Sequence, residues 1–109
     1  SMKHEYEKYR LQLEELKLEL EARIAKANTS LSASHSADWS EQAVERENDE
    51  VLIELVREGK EELEQIQHAF MRMDAGHYGK CATCGNEINP QRLNAMPMTT
   101  LCIECASAT

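Results

Sequence analysis

Aromatic side chains are scarce in this chain: one Phe, one Trp and three Tyr among 109 residues. So small an aromatic content excludes a large globular core, and the length allows one domain with little interior. Proline and glycine are almost missing from the first two-thirds, where Gly59 is the only one of either before Gly76. That scarcity, with abundant Glu, suits long helices. No apolar run is long enough to span a membrane, and no internal repeat is evident. No signal sequence is read at the start, which points to a reducing, cytoplasmic compartment in which thiols stay free. Positive charge is short as well. The net charge is −8, and between Asp38 and Glu64 eleven acidic residues stand against three basic ones. Paired nucleophile and base residues are not visible, so nothing in the sequence points to an enzyme.

What is present is concentrated near the end. All four cysteines fall in two C-x-x-C pairs, Cys81-Ala-Thr-Cys84 and Cys102-Ile-Glu-Cys105. Each such pair makes a tight knuckle whose two sulfurs face one point, and two knuckles at this spacing point to one tetrahedral zinc bound by four thiolates. Gly85 follows the first pair and can take the positive φ that a knuckle needs. Two disulfides or a redox C-x-x-C are the competing readings, and a reducing compartment disfavours the disulfides. Four protein ligands leave no open coordination position, so the zinc is expected to be structural, a staple for a small module. From His77 to the end only Lys80 and Arg92 are basic, against Glu87 and Glu104. A nucleic-acid-binding module should show a basic face. Direct DNA binding is therefore not expected, no residue is assigned to it, and protein partners are favoured.

The residues around the cysteines carry a resemblance. The run Gly76-His-Tyr78-Gly79-Lys-Cys81-Ala-Thr-Cys84-Gly85-Asn-Glu87-Ile88, continued through Arg92-Leu93-Asn-Ala95-Met-Pro97 to Cys102-Ile-Glu-Cys105, resembles the zinc finger of the DksA/TraR family of bacterial transcription factors. The close match covers roughly the last third of the chain.

Upstream, two helices are expected. From about His4 to Ala27, the residues Tyr6, Tyr9, Leu13, Leu16, Leu20, Ile24 and Ala27 follow steps of three and four, a coiled-coil seam. A second row, Leu11, Leu18 and Ala25, falls on the opposite face at heptad spacing and offers a surface for weak self-association. Asn28 to Ala37 is polar and small and reads as a loop. The second helix is expected from about Asp38 to Asp74, with the seam Leu52, Val56, Gly59, Leu63, Ile66, Phe70 and Met73. Asp38-Trp-Ser-Glu41 reads as a capping box at its start, and Gly76 and Gly79 mark its end. Two long amphipathic helices joined by a short loop fold back antiparallel. With the loop as the point of reversal, Gly59 is expected opposite Tyr6 and Tyr9. Ile66, Phe70 and Met73 are expected to extend past the first helix onto the zinc module. There they would meet Tyr78, Ile88, Leu93, Leu101 and Ile103, with Arg92 as a structural hydrogen-bonding residue.

The expected fold is thus mainly α: a long antiparallel coiled-coil hairpin over residues 2–75, with its tip loop at about 28–40, on a small C4 zinc-finger module over 76–109. This is the layout of the family the finger resembles. The resemblance implies that the coiled coil enters the secondary channel of RNA polymerase and that its tip acts near the active site. Active members carry Asp-x-x-Asp-x-Ala at the tip, and the matching residues here are Asp38, Trp39, Glu41 and Ala43, with Glu41 in place of Asp. Some members also respond to the alarmone ppGpp through basic side chains. Those positions fall here on Glu58, Gln65, Met96 and Ala106, none of them basic, so no response is expected. The alternatives are a coiled-coil interaction module with another protein partner, or a zinc-thiolate redox sensor whose oxidation would release the metal.

Overall fold

The computed structural model describes residues 2–32 and 39–108, with side chains at 6–32 and 42–108. Among the described residues four helices follow one another: α1, Met2–Leu31; α2, Trp39–Ala75; α3, Pro90–Ala95; and α4, Ile103–Ser107. Among the described residues there is no strand, only one isolated antiparallel bridge between Lys80 and Glu87. The chain divides into two compact units, Ser1–Lys17 with Glu64–Thr109, and Leu18–Leu63.

The first helix runs four residues further than its sequence suggests, ending at Leu31 rather than at Ala27. The small polar residues that read as a loop satisfy themselves inside the helix. The Thr29 hydroxyl donates to the Ala25 carbonyl at 2.9 Å, and Ser32 donates to the Asn28 carbonyl at 2.8 Å. Such back-bonding makes Ser and Thr tolerable in a helix at little cost. Helix α2 is described from Trp39, and Asp38, the expected cap, lies outside the described residues. At the other end the sequence signal holds. Gly76 takes φ 78°, its N–H donates to the Met73 carbonyl at 3.1 Å, and the His77 N–H reaches back to Arg72 at 2.8 Å. Those two bonds form a Schellman cap, which a left-handed glycine allows.

Within the unit Leu18–Leu63, Leu20, Ala27 and Val56 are buried, as the seam requires. Gly59 is buried too, but its neighbour is not a tyrosine. A Cβ at Gly59 would stand 3.0 Å from Cδ1 and Cγ1 of Ile24. The glycine therefore accommodates a branched aliphatic side chain, about four to five helical turns along α1 from the rings expected there. On the flank of α2, Arg57 bridges Glu54 and Glu61 in exposed ion pairs.

In the other unit, Tyr6 and Leu13 of α1 and Ile66, Ala69 and Met73 of α2 are buried. Leu13 and Ile66 are almost fully covered, each worth about 1.5–3 kcal/mol of burial. Ala69, completely buried, was not read as a seam residue. It lies three residues after Ile66 and four before Met73, so the periodicity contained it. Phe70 beside it is only half-buried, with the Arg10 guanidinium 5.6 Å over its ring. The end of α2 does not extend past α1. Arg10 pairs with Asp74 at 2.9 Å, and the Tyr6 hydroxyl approaches the Gly76 carbonyl at 3.5 Å. The first helix thus accompanies the second to its last turn because Tyr6 finds its hydrogen-bond partners beyond it.

Candidate metal centre

Two local turns build the centre. In the first, the Cys81 N–H donates to the Asn86 carbonyl at 2.8 Å and the Gly85 N–H returns to the Cys81 carbonyl at 3.0 Å. Gly85 holds φ 76°, the conformation that a side chain would resist. In the second, Cys102 stands at the N-cap of α4 with extended backbone, and the Ala106 N–H donates to its carbonyl at 2.9 Å. A two-residue spacing at a helix start brings Cys105 round to the same side as Cys102. The Ala82 N–H donates to the Thr100 carbonyl at 2.7 Å and ties one turn to the approach of the other.

The four sulfurs lie within 4.8 Å of one another, and Cys84 Sγ is 3.8 Å from Cys102 Sγ. None is disulfide-bonded. A tetrahedron of Zn–S bonds of about 2.3 Å has sulfur–sulfur edges of about 3.8 Å, so the cluster is suited to one zinc ion. The electrostatics agree with a cation-binding site. Backbone N–H groups of Cys102 and Cys84 hold the Cys81 thiol down at about 5. The hydrogen bonds of Cys81 and Cys102 push Cys105 up to about 12, and Cys84 is also raised. Close thiols resist accumulating several negative charges, and a divalent metal removes that resistance.

Supporting groups anchor both turns. Nε of Arg92 donates to the Leu101 carbonyl at 3.0 Å and its Nη2 to Thr99 Oγ1 at 3.3 Å, immediately before Cys102. Arg92 is therefore the structural residue expected. Arg72, in the last turn of α2, donates to the Lys80 carbonyl at 2.7 Å, immediately before Cys81. No sequence pattern marks that role, because an arginine near the end of a helix is ordinary. Tyr78 links the two sides. Its hydroxyl donates to the Pro97 carbonyl at 2.8 Å, and burial pushes its phenol well above the usual range. Tyr9 lies 5.6 Å from the Tyr78 ring, so the tyrosines of α1 meet Tyr78 rather than Gly59. Short helix α3 starts where the Asn89 side chain accepts from the Gln91 N–H, with Pro90 in its first turn.

Of the expected apolar contacts, Tyr78, Ile88 and Leu93 are buried and Leu101 is half-buried. Ile103 is 63% exposed. As the first residue of α4, between Cys102 and Glu104, it faces outward because the turn directs the cysteines inward. Asp38 lies outside the described residues, Trp39 and Glu41 are placed only as backbone in the first turn of α2, and Ala43 is exposed.

Residues 9–73 match the family described as DnaK suppressor protein-like, N-terminal domain. Residues 76–109 match the prokaryotic dksA/traR C4-type zinc finger. Among solved structures, transcription factor DksA2 from Pseudomonas aeruginosa is similar at 31% identity and a TM-score of 0.80, covering 94% of this chain and 80% of that one. A DnaK suppressor protein from Agrobacterium tumefaciens, solved in solution, is similar at 39% identity and a TM-score of 0.66, covering 94% and 92%. A stretch of 61 residues is 33% identical to the RNA polymerase-binding transcription factor DksA of Haemophilus influenzae, covering 54% of this chain and 42% of that protein. The chain spans less than half the length of the curated relatives it matches.

Proposed function

Because the chain belongs to the DksA/TraR C4-type zinc-finger family, we propose that it regulates transcription by binding RNA polymerase through the secondary channel, without catalysing a reaction of its own. The observation that carries this reading is the match of both parts, helical and zinc-finger, in one chain. A relative named for polymerase binding supports it. In this reading the molecule acts in the cytoplasm, as a coiled coil over residues 2–75 and a zinc module over 76–109. No helix among the described residues is long and apolar enough to cross a membrane.

Cys81, Cys84, Cys102 and Cys105 hold one structural zinc, which fixes the turns that Arg72 and Arg92 anchor. The acidic end of the coiled coil, with Asp38, Trp39, Glu41 and Ala43, acts inside the polymerase. Glu41 carries its carboxylate one methylene further than the family's Asp, a shift of roughly 1.5 Å, and groups at reaction centres respond to displacements of about that size. Leu11 and Leu18, 56% and 68% exposed, supply a surface for weak self-association. Direct DNA contact has no part in the function.

The factor works without ppGpp. Glu58, Gln65 and Met96 are exposed and Ala106 is half-buried, and none can donate a charge-assisted hydrogen bond to phosphate. Each such contact missing from a desolvated interface costs on the order of 2–5 kcal/mol.

In vitro transcription tests the reading. Asp38→Asn keeps a good helix-capping side chain but removes the charge, so the transcriptional effect should fall while polymerase binding persists. Glu41→Asp should raise it. Added ppGpp, with a polymerase lacking its own separate site for the nucleotide, should change nothing. An unaltered effect in both variants would reduce the tip to a helix start, and clear synergy with ppGpp would overturn the nucleotide independence.

A further inference from the structure

Two arginines reach the metal-binding turns, and they do so in different ways. Arg92 uses two nitrogens, Nε on the Leu101 carbonyl and Nη2 on Thr99. Arg72 uses one. Its Nη2 donates to the Lys80 carbonyl at 2.7 Å and to the His77 carbonyl at 3.3 Å. The main chain of Arg72 closes the helix at the same time. Its carbonyl accepts the His77 N–H at 2.8 Å, and the Lys80 N–H donates to the His77 carbonyl at 3.3 Å. Arg72 is thus bonded through its backbone to the cap of α2 and through its side chain to the residue before the first cysteine.

That side-chain bond acts on one peptide plane. The Lys80 carbonyl and the Cys81 N–H belong to the same rigid amide. Arg72 holds its oxygen, and the Asn86 carbonyl accepts from its N–H at 2.8 Å. A plane held at both ends fixes the direction in which the Cys81 side chain leaves the backbone. The bond to Asn86 lies within the turn itself. The bond to Arg72 comes from outside it, from the last turn of a 37-residue helix. Arg72 is half-buried and lines a cavity of about 560 Å³ together with Arg92, so a different side chain has room there.

We propose that Arg72 is a positioning residue of the metal centre: by clamping the peptide plane between Lys80 and Cys81, it sets the direction of the Cys81 sulfur and makes zinc retention depend on the end of α2. The inference rests on the reading of the four cysteines as one zinc site, and it is independent of polymerase binding. It also sets the two arginines apart. An ammonium carries three donors on one nitrogen and can serve two carbonyls, as Nη2 of Arg72 does. It cannot reproduce donations from two nitrogens of a planar fork. Lysine therefore replaces Arg72 but not Arg92.

The test is zinc competition on the full chain, loaded with one equivalent of zinc and titrated with a chromogenic chelator. Arg72→Gln should yield its zinc at about tenfold lower chelator concentration than the parent. Arg72→Lys should recover to within about threefold of the parent. Arg57→Gln removes the same charge from α2 at a residue of the other compact unit, where Arg57 pairs only with exposed glutamates. It should stay within about twofold. Far-ultraviolet circular dichroism should be alike for the parent and all three variants when zinc-loaded. Salt separates a hydrogen bond from a charge. At 1 M the screening length falls to about 3 Å, and the loss in Arg72→Gln should persist there. A competition curve for Arg72→Gln that coincides with the parent's would overturn the proposal. So would equal losses in Arg72→Gln and Arg57→Gln, or a loss that disappears in 1 M salt, since either assigns the effect to charge. Arg72→Lys as weak as Arg72→Gln would show that donation to the two carbonyls is not what positions Cys81, and would overturn it as well. A parent chain that retains no zinc would contradict the metal centre itself and remove the proposal with it.

Discussion

The Tyr6 hydroxyl donates to the Tyr78 carbonyl at 2.9 Å across a separation of 72 residues, and the two rings meet edge to face with centroids 5.2 Å apart. Tyr78 in turn donates to Pro97. Two phenols therefore connect the start of α1 to the segment before α3 and to the loop after it, on either side of the first metal-binding turn. Their polar ends are buried and partnered, which is how tyrosine contributes both packing and direction.

Tyr6→Phe keeps the ring contact and deletes the donor. A buried hydrogen bond of this kind contributes about 1 kcal/mol, so thermal unfolding should move down by roughly 4–8 °C for a chain of this size. A midpoint equal to that of the parent would show that the tie adds nothing to stability.

Gly59 faces Ile24 so closely that an added Cβ would meet two side-chain carbons at 3.0 Å. Glycine inside a helix costs about 1 kcal/mol relative to alanine, and here the steric term opposes recovery of that amount. Gly59→Ala in the parent chain should therefore yield little or no gain. In an Ile24→Ala background, the same change should stabilise by up to about 1 kcal/mol. Urea denaturation of the four proteins in this cycle measures the coupling, and additive effects would contradict the contact.

Removing the metal should loosen the zinc module before the helices. Thiolate ligation couples metal binding to folding, so a strong chelator should release one equivalent of zinc and collapse the tertiary signal of Tyr78, while much of the far-ultraviolet helical signal stays. A preparation free of metal with unchanged tertiary signals would contradict a structural zinc. The result also bears on the redox alternative, because thiol oxidation would have to produce the same loosening.

Arg92→Lys tests the support behind the second turn. A lysine cannot keep both donations, to the Leu101 carbonyl and to Thr99, because its ammonium lacks the planar fork. Residues that orient metal ligands typically contribute 10–100-fold in affinity. The variant should still bind one zinc but yield it to a competing chelator at about tenfold lower chelator concentration or less. An unchanged competition curve would show that Leu101 is held without Arg92.

Much of this organisation was legible because it is set by local chemistry. Cysteine spacing, the left-handed Gly85 and the cap at Gly76 each depend on a few adjacent residues, and all three are found as read. The placement of Gly59 was not legible. Its partner depends on the register of two helices, which is set by how the chain reverses between them. The same dependence explains why α1 accompanies α2 to Asp74 instead of stopping short. Helix ends rich in Ser and Thr were misread for a different reason, since side-chain bonds to helical carbonyls leave no mark in composition. The outward Ile103 shows a further limit: its hydrophobicity suggested burial, but the neighbouring Cys102 and Cys105 determine which way that turn faces. As for the tip, Asp38-Trp-Ser-Glu41 is recognisable as a motif, while its action depends on a partner.

Competitive binding to core RNA polymerase tests the central claim most directly. The zinc-loaded full chain is titrated against core enzyme, and a second factor known to occupy the secondary channel is then added. The account predicts saturable binding that the competitor displaces completely. Saturable binding that the competitor leaves untouched, or no binding at all, would contradict it.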